Sequence, residues 1–501
     1  MTTRRADRES DWSDLRADWE FRPGVTYLNH GSFGPSPAPV CEAQAEWQRR
    51  LQSNPMDFYV REYEPAYFAA RERLAAFVRT AAANLAFVEN ATYGMNVVAN
   101  GFPLAAGDEV LFTDHEYGAV LRVWRRICEP LGAKIATATL PFPFAEGKTG
   151  VDAILDAVDR AITPRTKLFV FSHITSPTAV IFPAAELCKL ARDRGVRVCI
   201  DGPHALATLP LALDALGCDY YTASCHKWLS APFGSGFVYV HPRHHAEIKP
   251  PVLSWGRIQP AVPTCWTDEL MWQGTRDPSP YLSVPAAIDY LDAVGFEAYR
   301  ERTHYLARYA RQRIEQLTGK PAYVPDDPTW YGSMICLPLA HGDSRALQQR
   351  LRSEFGIETP IVDWNGRRFV RVSCHLYTTT AEIDFFVESL EQCLCETNSP
   401  RVPRKFGLKD YMYVAWFRDK QLKPDEEAYD WVAMFLIAAN SAADAKGWGD
   451  RLANSFAERS HRHVFRQSDI DSPAKYGDYI RSENVPRVEY GVEAADDLIG
   501  W

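Results

Sequence analysis

The sequence predicts an α/β layered domain built round a largely parallel sheet, followed by a smaller α+β domain. Three observations carry this. From Tyr27 to about Thr275 short apolar runs alternate with amphipathic segments, the pattern of strands and helices in turn. From about Asp277 the pattern becomes helix-rich before strand-like runs return. The chain has 501 residues, 46% hydrophobic and 24% charged, an ordinary globular composition with length enough for two or three cores.

Taken in order, residues 1–25 read as a mobile or helical arm and residues 26–276 as the large domain. Its strands are read at "AFVEN" (86–90), "EVLFTD" (109–114), "KLFVFSHI" (167–174), "VRVCID" (196–201), "DYYTAS" (219–224) and "GFVYV" (236–240). "PAAELCKLARDRG" (183–195) reads as a helix closed by its glycine. The smaller domain, residues 277–396, carries strand-like "SMICLPL" (333–339) and "RRFVRVSCHLY" (367–377) with a helix near 343–355 between them. Residues 397–501 read as a proline-containing linker and a partly helical extension. The best helix start there is "PDEEAYDWVAMFLIAAN", with proline in the first turn and acids behind it.

Charge and composition narrow the function classes. A net charge of −9 gives no basic excess for tracking nucleic acid or an anionic membrane. The start, "MTTRRADRESDWSDLRADWE", has no apolar signal core. The nine-residue run "WVAMFLIAA" is far short of the roughly 20 that span a bilayer. Eleven cysteines, an odd number without zinc-ribbon pairing, read as free thiols in a reducing cytoplasm. His461 and His463 of "SHRH" read as solvated residues of a charged helix, so no metal is expected.

One lysine stands in unusual company. Lys227 of "TASCHKWLSAPFGSGFVYV" follows Ser224, Cys225 and His226 and precedes a glycine-rich turn, with no other charge nearby. A buried ammonium is costly unless it is paired, neutralised or covalently used. Asp201 of "CIDGPHA" lies where an apolar strand meets a turn, the carboxyl-end position at which open α/β sheets bind ligands, though turns favour aspartate on their own account. A lysine and a carboxylate on neighbouring strand ends suit a cofactor bearing an aldehyde and a protonatable ring nitrogen. "VENATYGMN" offers a helix N-terminus with Ala91 and Thr92, a phosphate cradle or an ordinary cap. Ser224 and His226 add donors, and Gly274-Thr275 a hydroxyl with close backbone access.

These residues resemble the class V aminotransferase family of pyridoxal phosphate enzymes, fold type I, and within it the isopenicillin N epimerase-like branch. The resemblance runs from about Tyr27 to Glu396 through "YLNHGSFGPSP", "ENATYGMN", "TDHEYGAV", "SHITSPTAVIFP", "IDGPHA", "ASCHKWL", "SWGR", "WQGTRDPSPYL" and "VRVSCHLYTT". It implies a mainly parallel seven-stranded sheet in the large domain, pyridoxal 5'-phosphate as cofactor, and an α-amino acid as substrate. Lys227 would form the Schiff base and Asp201 would pair with the pyridine nitrogen. His204 and Ser176 would approach the O3′ oxygen, and Tyr117 would stack on the ring, with His115 as second choice. Ala91, Thr92, Ser224 and His226 would hold the phosphate. Gly274 and Thr275 would reach the phosphate of a partner subunit, which implies a homodimer with shared sites. Arg371 would bind the substrate carboxylate, assisted by Asn29.

The chemistry implied is loss of the Cα proton to a quinonoid, in the manner of an epimerase or a C–S lyase. An aminotransferase using an oxo-acid acceptor and a non-catalytic scaffold acting through the extension are the alternatives. "GIETPIVDWNGRRF" (356–369) has no cysteine upstream of Arg371, and Cys374 lies beyond it, which disfavours a persulfide-forming desulfurase.

Overall fold

Seven short runs of apolar residues pair into one sheet: β1 (Leu85–Val88), β2 (Glu109–Thr113), β3 (Lys134–Ala138), β4 (Thr166–Ser172), β5 (Arg197–Asp201), β6 (Tyr220–Ser224) and β7 (Gly236–Val240). The computed structural model describes residues 4–254, 264–395, 407–420, 431–460, 462–477, 480, 485–494 and 499. Strand order is β1-β7-β6-β5-β4-β2-β3. β7 is antiparallel to both neighbours and every other pairing is parallel. The fully buried strands are largely apolar, as a mainly parallel sheet covered by helices requires.

Six of the seven strands lie where the sequence places them. β3 escapes a sequence reading because it is an edge strand with mixed exposure: only Ala138 is buried, and "KIATA" carries no continuous apolar run. Helices α1 (Ala91–Gly101) and α2 (Gly118–Leu131) cover one face. Met95, Val98, Val110, Phe112, Trp124, Val170 and Cys199 belong to the shared core between them. Register sets Ser172 beside Asp201 and Asp201 beside Thr222, so that polar side chains meet at the carboxyl ends of the parallel strands.

Downstream, β8 (Met334–Pro338), β9 (Ile361–Trp364) and β10 (Arg367–Ser373) form an antiparallel sheet of order β9-β10-β8. Helices α3 (Phe296–Thr318) and α4 (Thr380–Leu394) pack together, and Thr379 with Glu382 makes a capping box that fixes where α4 begins. The expected boundary at 276/277 falls between the last strand of the first sheet and the first of the second. The N-terminal residues are docked in short helical turns rather than free. Trp12 is 1% exposed, its indole donates to the Arg5 carbonyl, and Glu9 pairs with the buried Arg302.

Two compact units divide the chain: Met1–Glu20 with Tyr27–Gln349 and Glu358–Cys395, and Phe21–Thr26 with Arg350–Ile357 and Glu396–Trp501. The second unit has its own sheet, β11 (Lys409–Asp419), β12 (Trp431–Ala439), β13 (His463–Asp471) and β14 (Arg487–Glu489), in the order β13-β11-β12-β14. One helix, α5 (Ala442–Arg459), packs on it. The helix expected over "PDEEAYDWVAMFLIAAN" is corrected here, because its apolar half is strand β12. Ala433, Phe435, Ile437 and Ala439 belong to the core with α5, while Val432 just before them is exposed and Met434 and Leu436 between them are half-buried, a period of two that caps cannot override. His463 likewise opens a strand, not a helix. His461, the linker residues 397–405, residues 421–430 and the "WGR" of "SWGR" lie outside the described residues. All eleven cysteines are described and none is in a disulfide.

Gly202 follows Asp201 directly, and a Cβ there would lie 2.1 Å from the ring of the buried Tyr221. Gly202→Ala is expected to cost about 1–3 kcal/mol through this overlap. A lowered midpoint in thermal unfolding measures it.

Candidate active site

A cavity of about 650 Å³ opens at the carboxyl ends of β4, β5 and β6, within the size range of cofactor sites. Lys227, Asp201, His204, Ala91, Thr92, Tyr117, Ser176, Ser224, His226 and Arg371 all line it. Residues brought from positions 91 to 371 thus converge on one space.

Asp201 ends β5 and is buried, with Oδ1 accepting from the Thr222 hydroxyl at 3.2 Å. Burial raises its pKa to about 6, against the pull of Lys227 and that hydrogen bond. Lys227 lies three residues beyond the end of β6. Burial lowers its pKa to about 8, Arg371 adds to the shift, and Asp201 opposes it. His204 Nε2 is 3.2 Å from Lys227 Nζ, and the Trp228 indole donates to His204 Nδ1 at 3.2 Å. The backbone at Lys227 is also held. Its carbonyl accepts from the Ser230 N–H at 2.8 Å and lies 3.0 Å from His30 Nε2. His30 stacks on His375 with ring centroids 3.8 Å apart, and its Nδ1 meets the Tyr377 hydroxyl at 3.0 Å. Gly34 is required beside them, since a Cβ there would fall 2.6 Å from His30 Nε2 and from the Lys227 carbonyl.

The start of α1 also lines the cavity. Asn90 is its N-cap, taking the Tyr93 N–H at 2.9 Å, so Thr92 is not the cap and its hydroxyl stays exposed. The Ala91 N–H is taken by Ser224 Oγ at 3.0 Å, which leaves the Ser224 hydroxyl hydrogen free to donate. His226 Nδ1 is buried and has no hydrogen-bond partner among the described residues. Burial, with Lys227 next, lowers that imidazole to about 4 and keeps it neutral.

Arg371, on β10, is buried and has no carboxylate partner among the described residues. Its guanidinium donates to Ser176 O at 2.8 Å, Ser176 Oγ at 3.0 Å, Ser32 Oγ at 2.6 Å and Asn29 Oδ1 at 3.4 Å. Its Nε has no partner among the described residues. A buried cation held only by neutral acceptors is prepared for an anion from outside.

Not every expected residue reaches the cavity. Asn29 touches it only through Arg371. His115, the second choice for ring stacking, is fully buried elsewhere, bonded to Asp114 at 2.9 Å and packed on Trp364 with centroids 4.3 Å apart. Tyr117, 48% exposed, takes the cavity wall instead. Gly274 and Thr275 are exposed and stand outside the lining.

Sequence reading missed Ser32, Phe33, Glu116, Ser172, Phe233 and Trp228. Ser32 and Phe33 lie in the quoted "LNHGSFG", and Trp228 follows the lysine itself, so the segments were visible although the roles were not. Glu116 is a buried carboxyl that accepts from Thr113 at 2.6 Å and from Ser172 at 2.7 Å. Burial, reinforced by Asp201, raises its pKa to about 8.

The donor set fits one class of ligand. An amine and an acid share one cavity, with hydroxyls, a helix start and an orphaned imidazole nitrogen at one end and an unpaired guanidinium at its wall. That is the chemistry of a pyridoxal phosphate site of fold type I. The comparisons agree. The family described as Aminotransferase class-V matches residues 26–386. Isopenicillin N epimerase of Amycolatopsis lactamdurans is 36% identical over 394 residues, 76% of this chain and 98% of the relative. The same enzyme of Streptomyces clavuligerus is 35% identical over 394 residues, again 76% and 98%. The L-cysteine desulfhydrase of Arabidopsis thaliana is 27% identical over 371 residues, 70% of this chain and 80% of the relative. Among solved structures, the cystine C-S lyase C-DES with cysteine persulfide aligns at TM-score 0.65 and 23% identity, covering 74% of this chain and 98% of its own. A cysteine desulfurase from Thermococcus onnurineus NA1 aligns at TM-score 0.65 and 20% identity, covering 76% and 97%.

The chain belongs to the class V aminotransferase family and is an enzyme of that family, with pyridoxal phosphate as its cofactor. Its fold is that of the type I enzymes. Among the described residues no helix is long and apolar enough to cross a membrane.

Glu116 gives the site a pH signature. The folded chain keeps the Glu116 proton up to about pH 8, whereas the unfolded residue releases it near its ordinary 4.5. Stability attached to this group is therefore lost as pH rises through that window. Glu116→Gln, which can keep both hydroxyl partners, is expected to raise the unfolding midpoint by about 2–5 °C at pH 9 and to leave it unchanged at pH 4.

Proposed function

We propose that the protein acts at Cα of an α-amino acid as an epimerase, with C–S β-elimination as the second reading. The observation that carries this is the meeting of Lys227, Asp201 and an Arg371 without counter-ion in one cavity. The epimerase reading rests on the relatives at 35–36% identity, and the C–S lyase reading on the weaker likeness to an L-cysteine desulfhydrase. Cys374 and Cys336, the latter paired with Arg371 across the sheet, are both buried, so neither is a mobile thiol for persulfide chemistry beside Arg371.

Roles follow the geometry. Pyridoxal phosphate, when bound, supplies an electron sink that makes the Cα proton of an attached amino acid acidic. Lys227 would hold the cofactor aldehyde between turnovers and, once freed, move the Cα proton. Asp201 would keep a proton on the ring nitrogen, and His204 with Ser176 would serve the O3′ oxygen. Thr92 and the backbone at Ala91, at the start of α1, would hold the phosphate together with Ser224 at the end of β6 and His226 just beyond it. Tyr117 would cover the ring, and Arg371, oriented by Ser32, Ser176 and Asn29, would take the substrate carboxylate as a planar fork. Epimerisation returns the proton to the opposite face, whereas β-elimination releases a thiol from Cβ.

We further place the enzyme in the cytoplasm as a homodimer in which Gly274 and Thr275 serve the partner's phosphate. Their exposure outside their own cavity fits that arrangement.

Incubation with a panel of amino acids in deuterated water tests the reading. Cα exchange with inversion marks an epimerase and sulfide with pyruvate a C–S lyase. A pyridoxamine spectrum would replace both with transamination, and no exchange on any amino acid would leave a scaffold. Lys227→Ala is expected to abolish exchange, and Arg371→Ala to weaken amino-acid binding about 100-fold or more, seen as a rise in KM, because it removes a buried charged partner.

A further inference from the structure

The hydrogen bonds round Lys227 fix a proton as well as a position. The indole of Trp228 can only donate, and it points at His204 Nδ1 from 3.2 Å. That nitrogen must therefore be the acceptor, which excludes the doubly protonated ring. A neutral imidazole with Nδ1 as acceptor carries its hydrogen on Nε2. Nε2 lies 3.2 Å from Lys227 Nζ, so His204 donates and the lysine accepts. An ammonium has no lone pair with which to accept. Were Lys227 instead the donor, His204 would receive protons at both nitrogens and carry none, an imidazolate without support near neutral pH.

We propose that Trp228 is a positioning residue that locks His204 in its Nε2–H form and thereby favours the neutral amine of Lys227 over its ammonium in the cofactor-free chain. Only that amine captures an aldehyde, so the residue after the lysine readies it for the cofactor. Trp228 is itself fixed in place, being 1% exposed with its carbonyl accepting from the buried Tyr299 hydroxyl at 3.1 Å. The charged and titratable groups facing Lys227 are Arg371, Asp201, His204 and His226. Arg371 disfavours the ammonium, Asp201 favours it, and His226 is neutral. His204 is the one whose effect changes sign with its tautomer. Nε2–H opposes an ammonium, while a bare Nε2 would accept from it.

The inference concerns the amine that the proposed function assigns to the cofactor, and it is tested without turnover. Competitive acetylation of the cofactor-free chain with acetic anhydride, read by mass spectrometry, gives the pH midpoint of Lys227 directly. The wild-type midpoint is expected near 8. In Trp228→Phe, His204 is free to change tautomer and the midpoint should rise by about one unit. Labelling would then be about fivefold slower at pH 8 and equal to wild type above about pH 10. A purely structural defect would not converge at high pH. An unchanged midpoint in a folded variant overturns the proposal. If that variant does not fold, ¹⁵N spectra of the histidine-labelled wild-type chain decide: a proton on His204 Nε2 supports it, and one on Nδ1 overturns it. Failure of the wild type to take up pyridoxal phosphate while the midpoints differ would sink the proposed function and leave this inference standing.

Discussion

Three ionisable side chains share one cavity, and each would be expensive there alone. Lys227, Asp201 and Arg371 are drawn out of bulk water by the sheet that presents them, and desolvation pushes each toward its neutral form. The surrounding structure offsets that cost largely with neutral hydrogen-bond partners, and Asp201 and Lys227 also attract one another. Thr222 supports Asp201, Ser32, Ser176 and Asn29 support Arg371, and His204 faces Lys227 as a neutral partner. The consequence is functional. Charges held by neutral partners remain available to a charged ligand, whereas a closed salt bridge would already be satisfied.

The same pattern governs the rest of the wall. Ser224 accepts from the backbone of α1 and so keeps its own hydrogen to give, while Asn90 caps the helix and leaves Thr92 unengaged. Glu116 behind the cavity is kept as an acid by burial and takes two hydroxyl donors. Below Lys227 the stacked pair His30 and His375 ties the N-terminal segment to the turn that carries the lysine. The cavity is thus assembled from segments far apart in the chain yet all within the first compact unit.

Much of this was legible in the sequence, for reasons that can be named. The six strands read there are fully or largely buried, so selection against polar residues left continuous apolar runs. The seventh, β3, sits at an edge with mixed exposure and left no such record. In the second unit a proline and three acids suggested a helix start, while the alternating burial of β12 spoke for a strand over its apolar half. At the site, Lys227 and Asp201 stood out because a charge amid apolar neighbours is rare. His115 and Tyr117 could not be separated by sequence, since both are aromatic and two residues apart. A cage of Trp364, Phe142, Phe144 and Phe182 claims His115.

By itself, then, the sequence determined the alternation of elements and the family, through many short segments in one order, and it singled out the lysine, the acid and the arginine that meet in the cavity, because each stands out within its own segment. The tertiary structure alone decided which neutral groups stand beside them. Ser32 reaches Arg371 across 339 positions, and His30 reaches the Lys227 carbonyl across 197. Such pairings depend on how strands and loops are stacked, not on local composition, and a serine or histidine looks the same in sequence whether or not it meets a partner. Protonation is decided at that level too, since a ring nitrogen is acceptor or donor only by what the fold sets against it.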